Sequence, residues 1–190
     1  FEQKMVEAFK DNFGDKLEDY VWKGITLGSK TYKGIVNIVE TEGTQVKTGV
    51  GANAYEQVAK RIKAIAAKQS KNTVIYISEP KMIELKEELL KRDFRLIDLD
   101  FTNGAMEGEN AIKMPVFGNV VKAVTALGTS EKMYGLVPEH TVYGYATDGG
   151  AGDFAVVYDD VNEKTILRGK IAAGVQIAYP SETFYAENVD

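Results

Sequence analysis

The chain contains no cysteine, which excludes both a disulfide framework and any thiolate metal site and leaves its redox compartment open. Its single histidine, His140, removes multi-histidine metal centres and most nucleophile–histidine triads. Basic residues number 23 against 28 acidic ones, a net charge of −5, and no five basic residues follow one another. A dedicated nucleic-acid groove wants a positive stripe, so that class is disfavoured. No apolar run approaches the roughly 18 residues of a membrane-spanning helix, and no signal-peptide pattern is visible. There is no internal repeat and no low-complexity segment.

What is present is ordinary globular composition: 190 residues, 44% hydrophobic and 27% charged. That is enough for one large domain or two small ones sharing an interface around a sizeable core. The chain begins at Phe1 inside a helical pattern, which predicts a fragment or processed form with a missing N-terminal part. Phe1, Met5, Phe9 and Phe13 recur four apart, making one apolar stripe. Gly14 ends or interrupts that helix; Leu17, Tyr20 and Val21 continue the period if it only interrupts. Gly24, Gly28 and Gly34 punctuate the next stretch, with Trp22 and Tyr32 as its anchors. Ile35 to Val39 reads as strand, and the polar residues 40–48 read as a loop or weak hairpin.

The middle alternates helix and strand, which indicates α/β or α+β. Asn53 is placed to cap a helix whose inner face is Tyr55, Val58, Ile62 and Ile65. Residues 73–77 form a continuous β run, and Pro80 suits the first turn of a helix over 81–92. Residues 94–101 and 116–124 are further strand candidates. Gly149, Gly150 and Gly152 predict an exposed, mobile tip. The end of the chain is its most distinctive stretch. After a short β run at 154–158 and a turn through Asp159, Asp160 and Asn162, every odd position from Leu167 to Tyr179 is apolar or glycine. Alternation of this kind predicts one long strand, 167–179, with a single buried face.

Four patterns hint at chemistry, and each has a plainer reading. Thr48 to Ala54 (TGVGANA) fits a loose phosphate-binding turn before a helix, but the segment before it offers only Val46 as a buried strand. Asp98, Asp100 and Glu109 share the spacing of a calcium loop, yet Gly104 falls one place late and position five is Thr102. His140 reads as a surface or capping histidine. Ser78 stands at a strand end without the glycines of a nucleophile elbow and reads as the approach to Pro80. The acidic residues Glu84, Glu87 and Glu88 form a solvated helix face. No catalytic, cofactor-binding or metal-ligating residue is therefore assigned.

With chemistry set aside, the order of elements resembles the major capsid proteins of tailed bacteriophages and prophages, those of the Hong Kong 97-type fold. FEQKMVEAFKDNFGDKLEDYVWKG followed by YKGIV looks like the end of that family's spine helix and its glycine turns. NTVIYISEPKMIELKEEL looks like the strand and helix of its axial domain, and MPVFGNVVKAV like a further strand there. KTILRGKIAAGVQIAYPSETFYAEN resembles its final strand, returning to the peripheral domain. The resemblance spans nearly the whole chain and rests on the order of these pieces. It departs from the family in lacking the extended arm and projecting loop that precede the spine helix, so no cross-linking lysine is carried over.

The resemblance implies an α+β fold: a peripheral domain from residues 1–50 and 166–190, with an axial α/β domain, 51–165, inserted. It implies a structural role without enzyme activity or cofactor. The subunit would tile with copies of itself into hexamers and pentamers, beside neighbouring capsid-assembly proteins. It would enclose DNA contacted only non-specifically, with no membrane partner. Its location would be the virion, after assembly in the host bacterial cytoplasm. A net charge of −5 agrees with a wall that encloses DNA without gripping it. An encapsulin-like compartment shell stays open as an alternative, as does a small α/β enzyme using the TGVGANA turn for a phosphate-bearing ligand.

Overall fold

The computed structural model describes residues 14–27, 29–49, 53–66, 72–92, 111–114, 118–145, 153–159, 161–162, 164–170 and 173–189. Its centre is a six-stranded mixed sheet. Those strands are β3 (Thr44–Gly49), β4 (Val74–Ile77), β5 (Ala111–Lys113), β6 (Val120–Ala123), β7 (Met133–Leu136) and β12 (Phe184–Val189), in the order β3-β12-β7-β4-β6-β5. Strand β12 runs parallel to β3 and antiparallel to β7; β4 runs antiparallel to β7 and parallel to β6.

All four residues of β7 are buried, because both faces of the sheet are covered. Successive side chains on a strand alternate faces, so β7 serves two cores at once. On one side Met133 joins Ile75, Ile77, Phe184 and Ala186 beneath two helices, α3 (Ala54–Ala66) and α4 (Glu79–Lys91). These contribute Val58 and Ile62, and Met82, Leu85 and Leu89. On the other side Tyr134 and Leu136 meet Trp22 of α1 (helical over 14–23) and Ile35, Ile38 and Val39 of α2 (Ile35–Glu42). Helix α1 contains Leu17, Tyr20 and Val21 of the expected period, while the Phe1–Phe13 stripe lies outside the described residues.

Local chemistry explains α3 and α4. The Asn53 side-chain oxygen accepts from the Glu56 amide at 2.9 Å, the expected cap, and Pro80 sits in the first turn of α4 as predicted. Helix α2 corrects the sequence reading, which made Ile35 to Val39 a strand. Ile35, Ile38 and Val39 fall at i, i+3 and i+4, and burying that face outweighs the strand preference of a β-branched run. Gly43 ends the helix, its amide bonding to the Val39 carbonyl at 2.9 Å, and the expected loop over 40–48 becomes the edge strand β3.

Between α1 and α2 stands a hairpin of β1 (Gly24–Leu27) and β2 (Lys30–Lys33). Its base is where Gly24 and Gly34 are required: each backbone fills the space that a side chain on the other would take, and Gly24 has φ +79°.

The single strand expected over 167–179 is two strands in two sheets. Strand β10 (Lys164–Lys170) pairs with β9 (Asp153–Asp159), and β11 (Ala173–Ile177) pairs with β8 (Thr141–Tyr145). The registers place the break: Lys170 lies opposite Asp153 in one ladder, and Ala173 lies opposite Tyr145 in the other. The parity holds within β11: Val175 and Ile177 are buried and Gln176 is exposed. It ends at Tyr179, which is exposed.

The residues expected to pack on Val175 and Ile177, namely Met5, Phe9 and Phe13, lie outside the described residues. Described partners in that core are Trp22, Ile35, Ile38 and Val39. Strands β3 and β12, from the two ends of the chain, are bonded into the same sheet as β4, β6 and β7.

Candidate assembly surface

The β8/β11 pair and the β9/β10 pair are two-stranded ladders separate from the central sheet. Strand β11 is held at its root: Val175 and Ile177 enter the core, and the Val175 amide donates to the Tyr32 hydroxyl. Among the described residues the main contacts of the β9/β10 ribbon are those within its own ladder. An isolated two-stranded ribbon is marginal in water unless something covers it.

The exposed apolar groups are concentrated here. Of nine large hydrophobic residues exposed among the described ones, six lie between 142 and 179: Val142, Tyr143, Val157, Tyr158, Val161 and Tyr179. Val161, in the turn between β9 and β10, is 90% exposed and Tyr158 is 60% exposed. Scattered exposed apolar residues are normal, whereas a large contiguous exposed patch marks a contact surface.

A cleft of about 420 Å³ lies between α1, the sheet and β8. Trp22, Tyr76, Leu136 and Tyr143 line it together with Glu18, Glu79 and Lys122. The Trp22 and Tyr76 rings lie 5.0 Å apart at 58°. Glu79 accepts from the Thr125 hydroxyl at 2.9 Å, and Glu18 faces the Ala126 amide at 3.4 Å, so both carboxylates serve to seat the turn at 125–127.

The candidates for chemistry take structural places. Ser78 is buried, and its hydroxyl donates to the Ser130 carbonyl at 2.9 Å. His140 stacks edge-on against Tyr179, and its Nδ1 lies 2.9 Å from a Glu182 oxygen. In TGVGANA, Thr48 and Gly49 end β3 and Asn53 caps α3, while 50–52 lie outside the described residues. The strand before this turn, β3, lies at the sheet edge with Thr44, Gln45 and Lys47 exposed and Val46 half-buried, so it is not the buried strand that a phosphate-binding turn needs. Asp98, Asp100 and Glu109 also lie outside the described residues, as does the glycine tip at 149–152. Among the described residues no group of three His, Cys, Asp or Glu side chains could hold a metal, and no helix is long and apolar enough to cross a membrane.

Two buried polar clusters had no signal in the sequence. Lys81 on α4 is nearly enclosed and holds Glu131 at 2.7 Å and Glu84 at 3.0 Å. Burial pulls the Lys81 pKa down, but hydrogen bonds and charge from these two carboxylates together raise it. Arg61 on α3 is fully buried; desolvation pushes it down to about 10, against the opposing charge of Glu131. On the opposite face Glu40 accepts from the Tyr134 hydroxyl at 2.8 Å and from Lys132 at 3.0 Å. Burial, then the Glu40 bond, push the Tyr134 hydroxyl well above its ordinary range. These networks brace the 128–134 segment against three helices, and no nucleophile–base pair emerges from them.

No protein-family model matches the chain, and no curated protein matches it. Solved structures do. The chain is similar over its full length to 67% of a chain in the capsid of an empty GTA particle, at 11% identity and a TM-score of 0.65. It is similar over 91% of its length to 61% of the virus-like particle subunit from Pyrococcus furiosus, at 16% identity and TM-score 0.54. A chain of Mycobacterium phage Che8 matches 95% of it across 60% of its own length, at 10% identity and TM-score 0.53. The chain thus spans about three-fifths to two-thirds of the length of these relatives. At such identities the likeness is one of fold. The resemblance read from the residues is borne out at that level: the chain folds as the subunits of capsid and virus-like-particle shells do.

Proposed function

We propose that the chain is the shell-forming part of a phage or prophage major capsid protein of the Hong Kong 97 type, which self-assembles into an icosahedral capsid around DNA. The observation that carries this reading is the match of the entire chain, at TM-score 0.65, to a capsid subunit. The separate β9/β10 ribbon and the clustered exposed apolar groups accord with it, because a shell subunit works through surfaces shared with neighbours. The six-stranded sheet with α3 and α4 would form the axial-type domain, inserted into a peripheral-type part containing α1. In this division β3 and β12, from the ends of the chain, join the axial sheet. The protein acts by assembly and carries no catalysis. It would assemble in the bacterial cytoplasm and end in the virion.

A second reading is an encapsulin-like compartment shell, favoured by the match to the Pyrococcus furiosus virus-like particle at 16% identity, the highest of the three. The test is electron microscopy of the complete gene product, with nucleic acid and protein content measured in purified particles from the source cells. Closed particles protecting DNA from nuclease support the capsid. Closed particles containing protein cargo and no DNA support the compartment. A product that stays monomeric at all concentrations refutes both.

A further inference from the structure

The β9/β10 ribbon has a charge pattern that becomes visible only with its register. Every charged residue of β9 (DFAVVYD) is acidic, and every charged residue of β10 (KTILRGK) is basic. The acidic positions are the two ends, Asp153 and Asp159. The register sets them opposite Lys170 and Lys164, the two ends of β10. Among the described residues each strand has only the other as a partner, so each offers one further edge of unpaired backbone groups.

Unpaired edges invite another strand, and proteins commonly discourage this with charge. Charge of one sign on both edges would keep ribbons apart. Here the edges differ in sign, and like charges directly opposite one another destabilise a strand pair while unlike charges favour it. Two β9 edges meeting antiparallel would set Asp153 against Asp159 of the other copy, and two β10 edges would set Lys164 against Lys170. A β9 edge meeting a β10 edge repeats the ladder already present, with opposite charges matched at both ends and apolar residues between.

We infer that the ribbon is a head-to-tail assembly edge, on which β9 of one copy adds antiparallel to β10 of a second copy of this chain. An edge that pairs with a different edge is heterologous, and a heterologous contact closes into rings when the rotation between copies allows. Side-by-side copies in one orientation place β10 of the first antiparallel to β9 of the next, as the charge frame requires. The second copy would also cover a ribbon whose main contacts among the described residues are those within its own ladder. This inference deepens the shell reading and rests on it for the identity of the partner.

The lack of cysteine makes the test direct. Val157 and Ile166 are register partners, so Val157→Cys and Ile166→Cys are made as separate single variants of the full chain. Under mild oxidation the mixture should yield several-fold more disulfide-linked dimer than either variant alone. It should also exceed a mixture of Lys23→Cys with Ile166→Cys, which reports collision. Raising salt to about 1 M, where the screening length falls to about 3 Å, should lower the yield. Efficient self-linking of Val157→Cys alone overturns head-to-tail pairing, as does a mixture no better than the collision control. Microscopy of the same samples separates the two ideas. Particles without the specific cross-link sink the edge pairing and leave the shell reading standing; the cross-link without particles in the complete gene product does the reverse.

Discussion

Phe184 on β12 lies directly across from Gly135 on β7, and its ring fills the space in which a side chain at Gly135 would begin. The ring is 1% exposed and forms part of the core beneath α3 and α4. The close approach of ring to backbone demands glycine at 135, and it fixes the β12–β7 pairing that brings the end of the chain into the sheet.

Gly135→Ala should therefore cost about 1–3 kcal/mol through overpacking. Combined with Phe184→Leu, it should cost less than the sum of the two single changes, because the smaller side chain relieves the overlap. Denaturant unfolding of the four proteins measures this, and additive costs would show that the ring is not seated on Gly135.

The parity of β11 gives a second expectation. Ile177 is buried with Trp22 and the α2 residues, whereas Gln176 faces solvent. Ile177→Asp should forfeit about 1.5–3 kcal/mol of apolar burial and add the cost of burying or protonating a carboxyl. Gln176→Asp should stay within about 1 kcal/mol. Equal losses in equilibrium unfolding would mean that the strand is not one-sided.

Tyr134 supplies a pH dependence. Its folded pKa is raised by burial and by Glu40, so in alkaline solution the folded state keeps a proton that the unfolded chain releases near pH 10. That contribution is complete below pH 10 and declines as pH rises beyond it. Tyr134→Phe should lower stability at neutral pH by about 0.5–3 kcal/mol, the span from an ordinary hydrogen bond to one made to a charged group. It should also flatten the loss of stability above pH 10. A parallel alkaline slope in wild type and variant would count against the assignment.

The α3 cap is a local test. Asn53→Ala removes the acceptor of the Glu56 amide and should cost about 1 kcal/mol, with Asn53→Ser recovering most of it. Thermal or denaturant unfolding reads both changes, and an unaffected Asn53→Ala would show that the bond contributes nothing net.

The charge edges of β9 and β10 illustrate why the proposed assembly edge was hidden. Asp153, Asp159, Lys164 and Lys170 are plain in the sequence, but their opposition appears only once the hairpin register is known. The pairing of buried Arg61 and Lys81 with the exposed Glu131 is similar: three residues from α3, α4 and a loop, with no shared motif. Fold resemblance was legible because it rested on the order of helices, glycine turns and strands, and the fold is shared with chains only 10–16% identical.

By itself the sequence determined what depends on near neighbours along the chain. Asn53 and Pro80 start α3 and α4 through bonds and dihedral limits that span a few residues. Val175, Gln176 and Ile177 alternate because a strand turns successive side chains to opposite faces. Tertiary structure decided the rest. Ile35 to Val39 is helical because the sheet offers a surface for three of those side chains, which outweighs β-branched preference. The expected strand over 167–179 divides because its two parts take different partners, β9 for β10 and β8 for β11. The chain ends enter one sheet because β12 finds β3 and β7, partners far away in sequence. Such pairings come from burial and backbone hydrogen bonds summed across the whole fold, which no short window of residues contains.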